Sequence, residues 1–171
     1  MDDKSNVQKG KDLVNIQPTI NINASPEEDM GIISEIIENA IEKHKEIITS
    51  DLLSKKAELD LELLEKIDFN FQNEKDKKYV TQLFEDFFEE IHIMDSLIES
   101  QESFNQYILF KGVKAEYNKF YNANKNLLLS LEQLFNYYCP LGKEKDPKYA
   151  NYSKAFVLFF FDDCTIGETK K

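Results

Sequence analysis

Apolar residues recur three and four positions apart along most of this chain, and that spacing constrains the fold more than any other feature. The row Met30, Ile33, Ile37, Ala40, His44, Ile47 alternates such steps, and Ile32, Ile36, Ile41 and Ile48 widen it. Residues so spaced share one face of a 3.6-residue helix, so the row predicts an amphipathic helix to about Thr49. Its start is marked by Ser25-Pro26-Glu27-Glu28. Ser25 and Glu28 form a capping box, Pro26 suits the first helical position, and the acids favour the positive end of the helix dipole.

The same reading continues downstream. Thr49-Ser50-Asp51 is a polar break. Leu53, Ala57, Leu61, Leu64 and Ile67 then predict a second helix ending near Asp68, and residues 70–78 read as a loop. A third helix is expected from about Lys77, where Val80, Phe84, Phe87, Ile91, Met94 and Ile98 keep the period. Phe104 to Tyr138 stays helical in pattern, with Gly112 as a point of kinking or splitting. Cys139-Pro140-Leu141-Gly142 ends it. Tyr149 to Phe161 fits both a helical face and a buried strand, and its length and polar Asn151, Ser153 and Lys154 favour a short helix.

One stretch departs from the helical period. Ile16, Pro18, Ile20 and Ile22 alternate with polar residues, the pattern of a half-buried strand, and Pro18 confines it to an edge. The expected fold is therefore mainly α, an antiparallel helical bundle of four to five helices with a short N-terminal edge-strand-like segment at about 16–23. Residues 1–14 are expected as a flexible tail, 15–162 as a single helical domain and 163–171 as a frayed C-terminal tail. The segment Ile16 to Glu46, a strand pattern followed by a capped Ile-rich helix, resembles strand-plus-helix segments of phage tail and other self-assembling proteins. It carries no diagnostic motif.

Composition narrows the function classes. The 171 residues hold 21 lysines, no arginine, no tryptophan and 32 acids, for a formal charge of -11. Nucleic-acid binding runs on cations that displace counterions, so direct nucleic-acid binding is not expected. No apolar run approaches the roughly 20 residues of a membrane span, and the N-terminus has no apolar signal region, so a cytoplasmic protein without a membrane role is expected. Cys139 and Cys164 make neither a disulfide framework nor a zinc site. The all-lysine, Asn- and Ile-rich composition suggests an A/T-rich coding sequence, bacterial or viral.

The chemistry-bearing residues are sparse. Glu89 and His92 form one Glu-x-x-His, but a di-iron bundle needs two, and the only other histidine, His44, has Ile41 three before it. His44 sits in the apolar row of the first helix, where it reads as an edge-of-core residue with its tip in water, or as a residue setting partner choice in a helical interface. Neither cysteine has a cationic neighbour that would make it a nucleophile. No phosphate-binding glycine loop is present. Catalytic residues, cofactors and metals are accordingly expected to be none, and a small metal enzyme built on Glu89, His92 and His44 stands as a second alternative.

Tyr79 to Glu102 holds seven acids and no lysine. Glu85, Asp86, Glu89 and Glu90 cluster at helical spacing, as a solvated face or as a surface for a basic partner. Asp95 falls on the apolar row and needs a donor if buried. Phe69, Phe71, Phe110 and Phe161 miss the stripes and are candidates for an exposed apolar patch. These features together predict a non-enzymatic helical protein–protein interaction or assembly module, a homo-oligomer or a subunit of a larger bacterial or phage complex. The interaction residues expected are Glu85, Asp86, Glu89, Glu90, Ile16, Ile20, Ile22 and His44. The alternative is an acidic inhibitor that mimics nucleic acid and blocks a nucleic-acid-binding enzyme.

Overall fold

A computed structural model describes residues 26–45, 63–163 and 165–168. It is mainly helical, with seven helices and no strand among the described residues. They are α1 (Pro26–Lys45), α2 (Leu63–Asn70), α3 (Glu74–Asp86), α4 (Phe88–Glu99), α5 (Ser103–Asn124), α6 (Leu127–Tyr138) and α7 (Pro147–Asp162). The proposed edge strand at 16–23 lies outside the described residues.

The count exceeds the four or five expected because two long periodic stretches are each interrupted. Between α3 and α4, Phe87 turns to φ -116° and ψ 21°. The hydrogen-bond ladder runs on through it, from Phe87 N–H to Leu83 O at 3.0 Å and from Ile91 N–H to Phe87 O at 2.9 Å. The apolar stripe therefore survives, and Val80, Phe84, Phe87, Ile91, Met94 and Ile98 are all buried. Between α5 and α6, Lys125 adopts a left-handed φ of 51°, and Asn126 caps α6 by accepting from Leu129 N–H at 2.9 Å. Gly112, by contrast, does not split α5, which runs unbroken through it.

The expected 70–78 loop is also shorter in the structure. Asn73 caps α3 by accepting from Lys75 N–H at 2.9 Å, so the helix starts at Glu74. Phe71, inside that stretch, is buried beside Phe161 with ring centroids 6.1 Å apart.

α7 is the centre of the molecule. Asp146 caps it, Pro147 occupies its first turn, and it packs on α4, α6 and α1. Every residue from Ala155 to Phe161 is buried. A stretch covered on all sides shows no polar face, and this is why Ala155 to Phe161 reads equally well as a buried strand. α5 packs on α6 and α1, and α2 on α3.

After Asp162 the chain folds back on the end of α7 over residues 165–168. Thr165 and Ile166 N–H groups return to the Phe160 carbonyl at 3.0 and 3.1 Å. Ile166 is buried, Gly167 takes φ 83°, and Glu168 N–H donates to Asn70 Oδ1 at 2.6 Å. The aromatic residues that missed the stripes form no exposed patch either: Phe71 and Phe161 are buried, Phe110 packs on Phe159 and Phe160, and Phe69 is partly exposed.

Candidate functional site

The isoleucine stripe of α1 is consumed inside the molecule. Ile33, Ile36, Ile37 and Ala40 are buried against α5 and α7, whereas Met30, the first residue of the row, is exposed. His44 is fully buried and not an edge residue with a wet tip. Its Nε2 lies 2.9 Å from the Tyr138 hydroxyl, and its ring rests on Gly112. Beside it, the Lys43 amine donates to the Tyr137 carbonyl and lies 4.4 Å from the Tyr137 ring centroid. Glu116 is buried and paired with Lys119 at 2.8 Å. His44 is thus part of the α1–α5–α6 core and offers nothing to a surface. Ile16, Ile20 and Ile22 fall outside the described residues.

His44 is enclosed while Glu89 and His92 are exposed on α4, so the three do not converge on one centre. Among the described residues no group of three or more His, Cys, Asp or Glu is placed to hold a metal ion. Cys139 is buried, and burial pushes its thiol up. No helix among the described residues is long and apolar enough to cross a membrane.

The four clustered acids are divided by the turn at Phe87. Glu85 and Asp86 are exposed at the end of α3, with Asp86 accepting from Gln82 at 2.8 Å. Glu89 is exposed in the first turn of α4. Glu90 differs, leaning inward and half-buried. Burial raises its pKa, and the nearby charges of Glu89 and Asp29 add to this, against a hydrogen bond from its own backbone. Three of the four expected acids therefore stand on the surface, and they do so around a join rather than along one straight helix.

Next to the α3–α4 join, where Phe84 and Phe88 line it, the structure opens a cleft of about 340 Å³. Its apolar lining comes from Leu63 of α2, Phe84 of α3, Ile91 of α4 and Phe159 of α7. Asp95 of α4 and Asp162 and Asp163 at the end of α7 bring carboxylates to the same cleft. Phe88 and His92 complete it, their rings edge-on at 4.7 Å. Phe88 is 61% exposed, an aromatic ring left in water. Asp163 also accepts from the Thr165 hydroxyl at 2.6 Å.

One element of this cleft is legible in the sequence, Asp95 on an apolar row. The meeting of α4 with the end of α7 joins residues more than 60 positions apart and depends on packing. Comparison of the chain with protein-family models, with curated proteins and with solved structures finds no match.

Proposed function

We propose that the protein is a non-enzymatic protein–protein interaction or assembly module that meets its partner through the outer face of α4. The carrying observation is the exposed Phe88, which lines the cleft and is followed in the chain by the exposed Glu89. A large ring held in water beside an apolar hollow is the usual anchor of a protein interface, and surrounding charge selects the partner. A basic partner fits this charge.

The test is co-purification of the tagged full chain from its host at low and high salt. The expected result is a stoichiometric protein partner, lost from Phe88→Ala and from the triple variant Glu85→Lys, Asp86→Lys, Glu89→Lys. Recovery of the bait alone, or a partner indifferent to both variants, overturns the reading. A second reading, an acidic inhibitor occupying a nucleic-acid site, is favoured by the exposure of those same three carboxylates. It requires the captured partner to be a nucleic-acid-binding enzyme whose activity the protein suppresses and the triple variant does not.

A further inference from the structure

We infer that the last turn of α1 is an acid-released latch: a proton on His44 frees Ile41 to Lys45 from α5 and α6 while the earlier turns of the helix stay seated. The inference goes beyond the interaction-module reading and does not depend on it.

The enclosure of the imidazole carries it. His44 is fully buried, and its ring lies against Gly112 of α5. Nε2 is 2.9 Å from the Tyr138 hydroxyl of α6. That hydroxyl both donates and accepts, so the contact serves the neutral ring in either tautomer. Nδ1 is buried with no hydrogen-bond partner among the described residues. The neutral ring therefore leaves one polar atom unsatisfied. The charged ring turns Nδ1 into a donor with nothing to accept from it, and adds a charge removed from water.

The neighbouring groups do not answer that demand. Glu116 of α5 is the carboxylate that acts on the ring, and Lys119 already holds it at 2.8 Å. Lys43, next in the chain, brings a second positive charge. From α6 come Tyr137, Tyr138 and Cys139, all kept neutral because burial raises them. Glu42 and Lys45 pair with each other in solvent at 3.0 Å and leave with the turn.

The earlier turns are held by other means. Tyr149 of α7 donates to Glu35 at 2.5 Å, and Lys148 pairs with Glu28 at 3.1 Å. The ionisable groups that α7 and α4 bring to α1, Tyr152 and Glu90, act on Asp29 near its start. None of these contacts uses an imidazole, so a proton taken up by histidine leaves them intact. A terminal turn also opens without breaking the hydrogen-bond ladder of the turns before it.

The test is NMR of the ¹⁵N-labelled full chain between about pH 7.5 and about pH 5, reading the His44 imidazole and amide hydrogen exchange. The His44 midpoint is expected below about 6.5, and the amide shifts of Ile41 to Lys45, Gly112 and Tyr138 should follow it. Protection of Ile41 to Lys45, corrected for intrinsic exchange, should lie at least about a hundredfold below that of Phe156 to Phe160, since the turn opens by itself. It should fall by up to about tenfold between about pH 6.5 and about pH 5.5, the limit for uptake of one proton. His44→Gln, which cannot titrate, should abolish that fall.

A midpoint at or above about 6.5 would overturn the inference. So would a ring that takes its proton while the last turn stays as protected as α7, or a fall in protection that persists in His44→Gln. The midpoint and the exchange pattern are read on the unaltered chain, so they decide the matter even if that variant does not fold.

Discussion

A hydrogen atom at Gly112 is all that the His44 ring leaves room for. A Cβ there would lie 2.1 Å from His44 Cγ, far inside van der Waals contact. Gly112→Ala is therefore expected to destabilise the protein by about 1–3 kcal/mol, although alanine is the better helix former by about 1 kcal/mol. In a His44→Ala background the clash is gone, and the same substitution should be neutral or stabilising. Chemical denaturation of the four proteins of this cycle checks it. An equal loss in both backgrounds would remove the ring from the explanation.

His44 also ties stability to pH. Burial lowers its pKa below the usual 6.5, Glu116 pulls it back up, and Lys43 lowers it further. Its Nδ1 is buried with no hydrogen-bond partner among the described residues. The Tyr138 hydroxyl faces Nε2, and Lys119 offsets the Glu116 charge. The folded state favours the neutral ring, so on acidification the unfolded chain takes up the proton first. The His44 contribution is thus complete above about pH 6.5 and is lost as pH falls from there towards the lower folded value. His44→Gln, which cannot titrate, should lower Tm at about pH 8 yet flatten its decline between about pH 7 and pH 5.5. An unchanged slope in that variant would assign the acid sensitivity to other groups.

At the scale of elements, periodicity identifies faces better than ends. The α3–α4 stripe is read correctly through Phe87 because a local turn that keeps the hydrogen-bond ladder also keeps the apolar phase. The α5–α6 break is different, since Lys125 takes a left-handed conformation that a side chain disfavours. Lys125→Gly is expected to raise stability by up to about 1 kcal/mol, since glycine carries no Cβ penalty there, while Lys125→Ala should not. Thermal unfolding of the two variants separates them. Asn126 follows as the α6 cap, and Asn126→Ala should cost about 1 kcal/mol in the same measurement. Neither position has a periodic signature, because a cap is a property of one residue and its neighbours' N–H groups.

Across the whole molecule, stability converges on α7. Phe160 is fully buried, with ring centroids 5.0 Å from Phe156, 4.9 Å from Phe159 and 5.1 Å from Phe110. Phe160→Ala should cost about 3–5 kcal/mol, a large share of the roughly 5–15 kcal/mol that holds an ordinary domain. With one core shared by α1, α4, α6 and α7, helix content and tyrosine fluorescence should melt together. Separate transitions would divide the molecule into independent units.

The helical class, the inward stripes of α1, α3 and α4 and the surface placement of Glu85, Asp86 and Glu89 were legible in the residues alone. They follow from local spacing, which places side chains on a helix face whatever that helix later packs against. The burial of His44, the docking of Ile166 and the cleft of Asp95, Asp162 and Asp163 were decided only by tertiary structure. Each depends on residues distant in sequence arriving at one place: Gly112 leaving space for a ring, Asn70 holding the backbone of Glu168, and α4 crossing the end of α7. Periodicity records which face of a helix turns inward, but it carries no record of what that face meets.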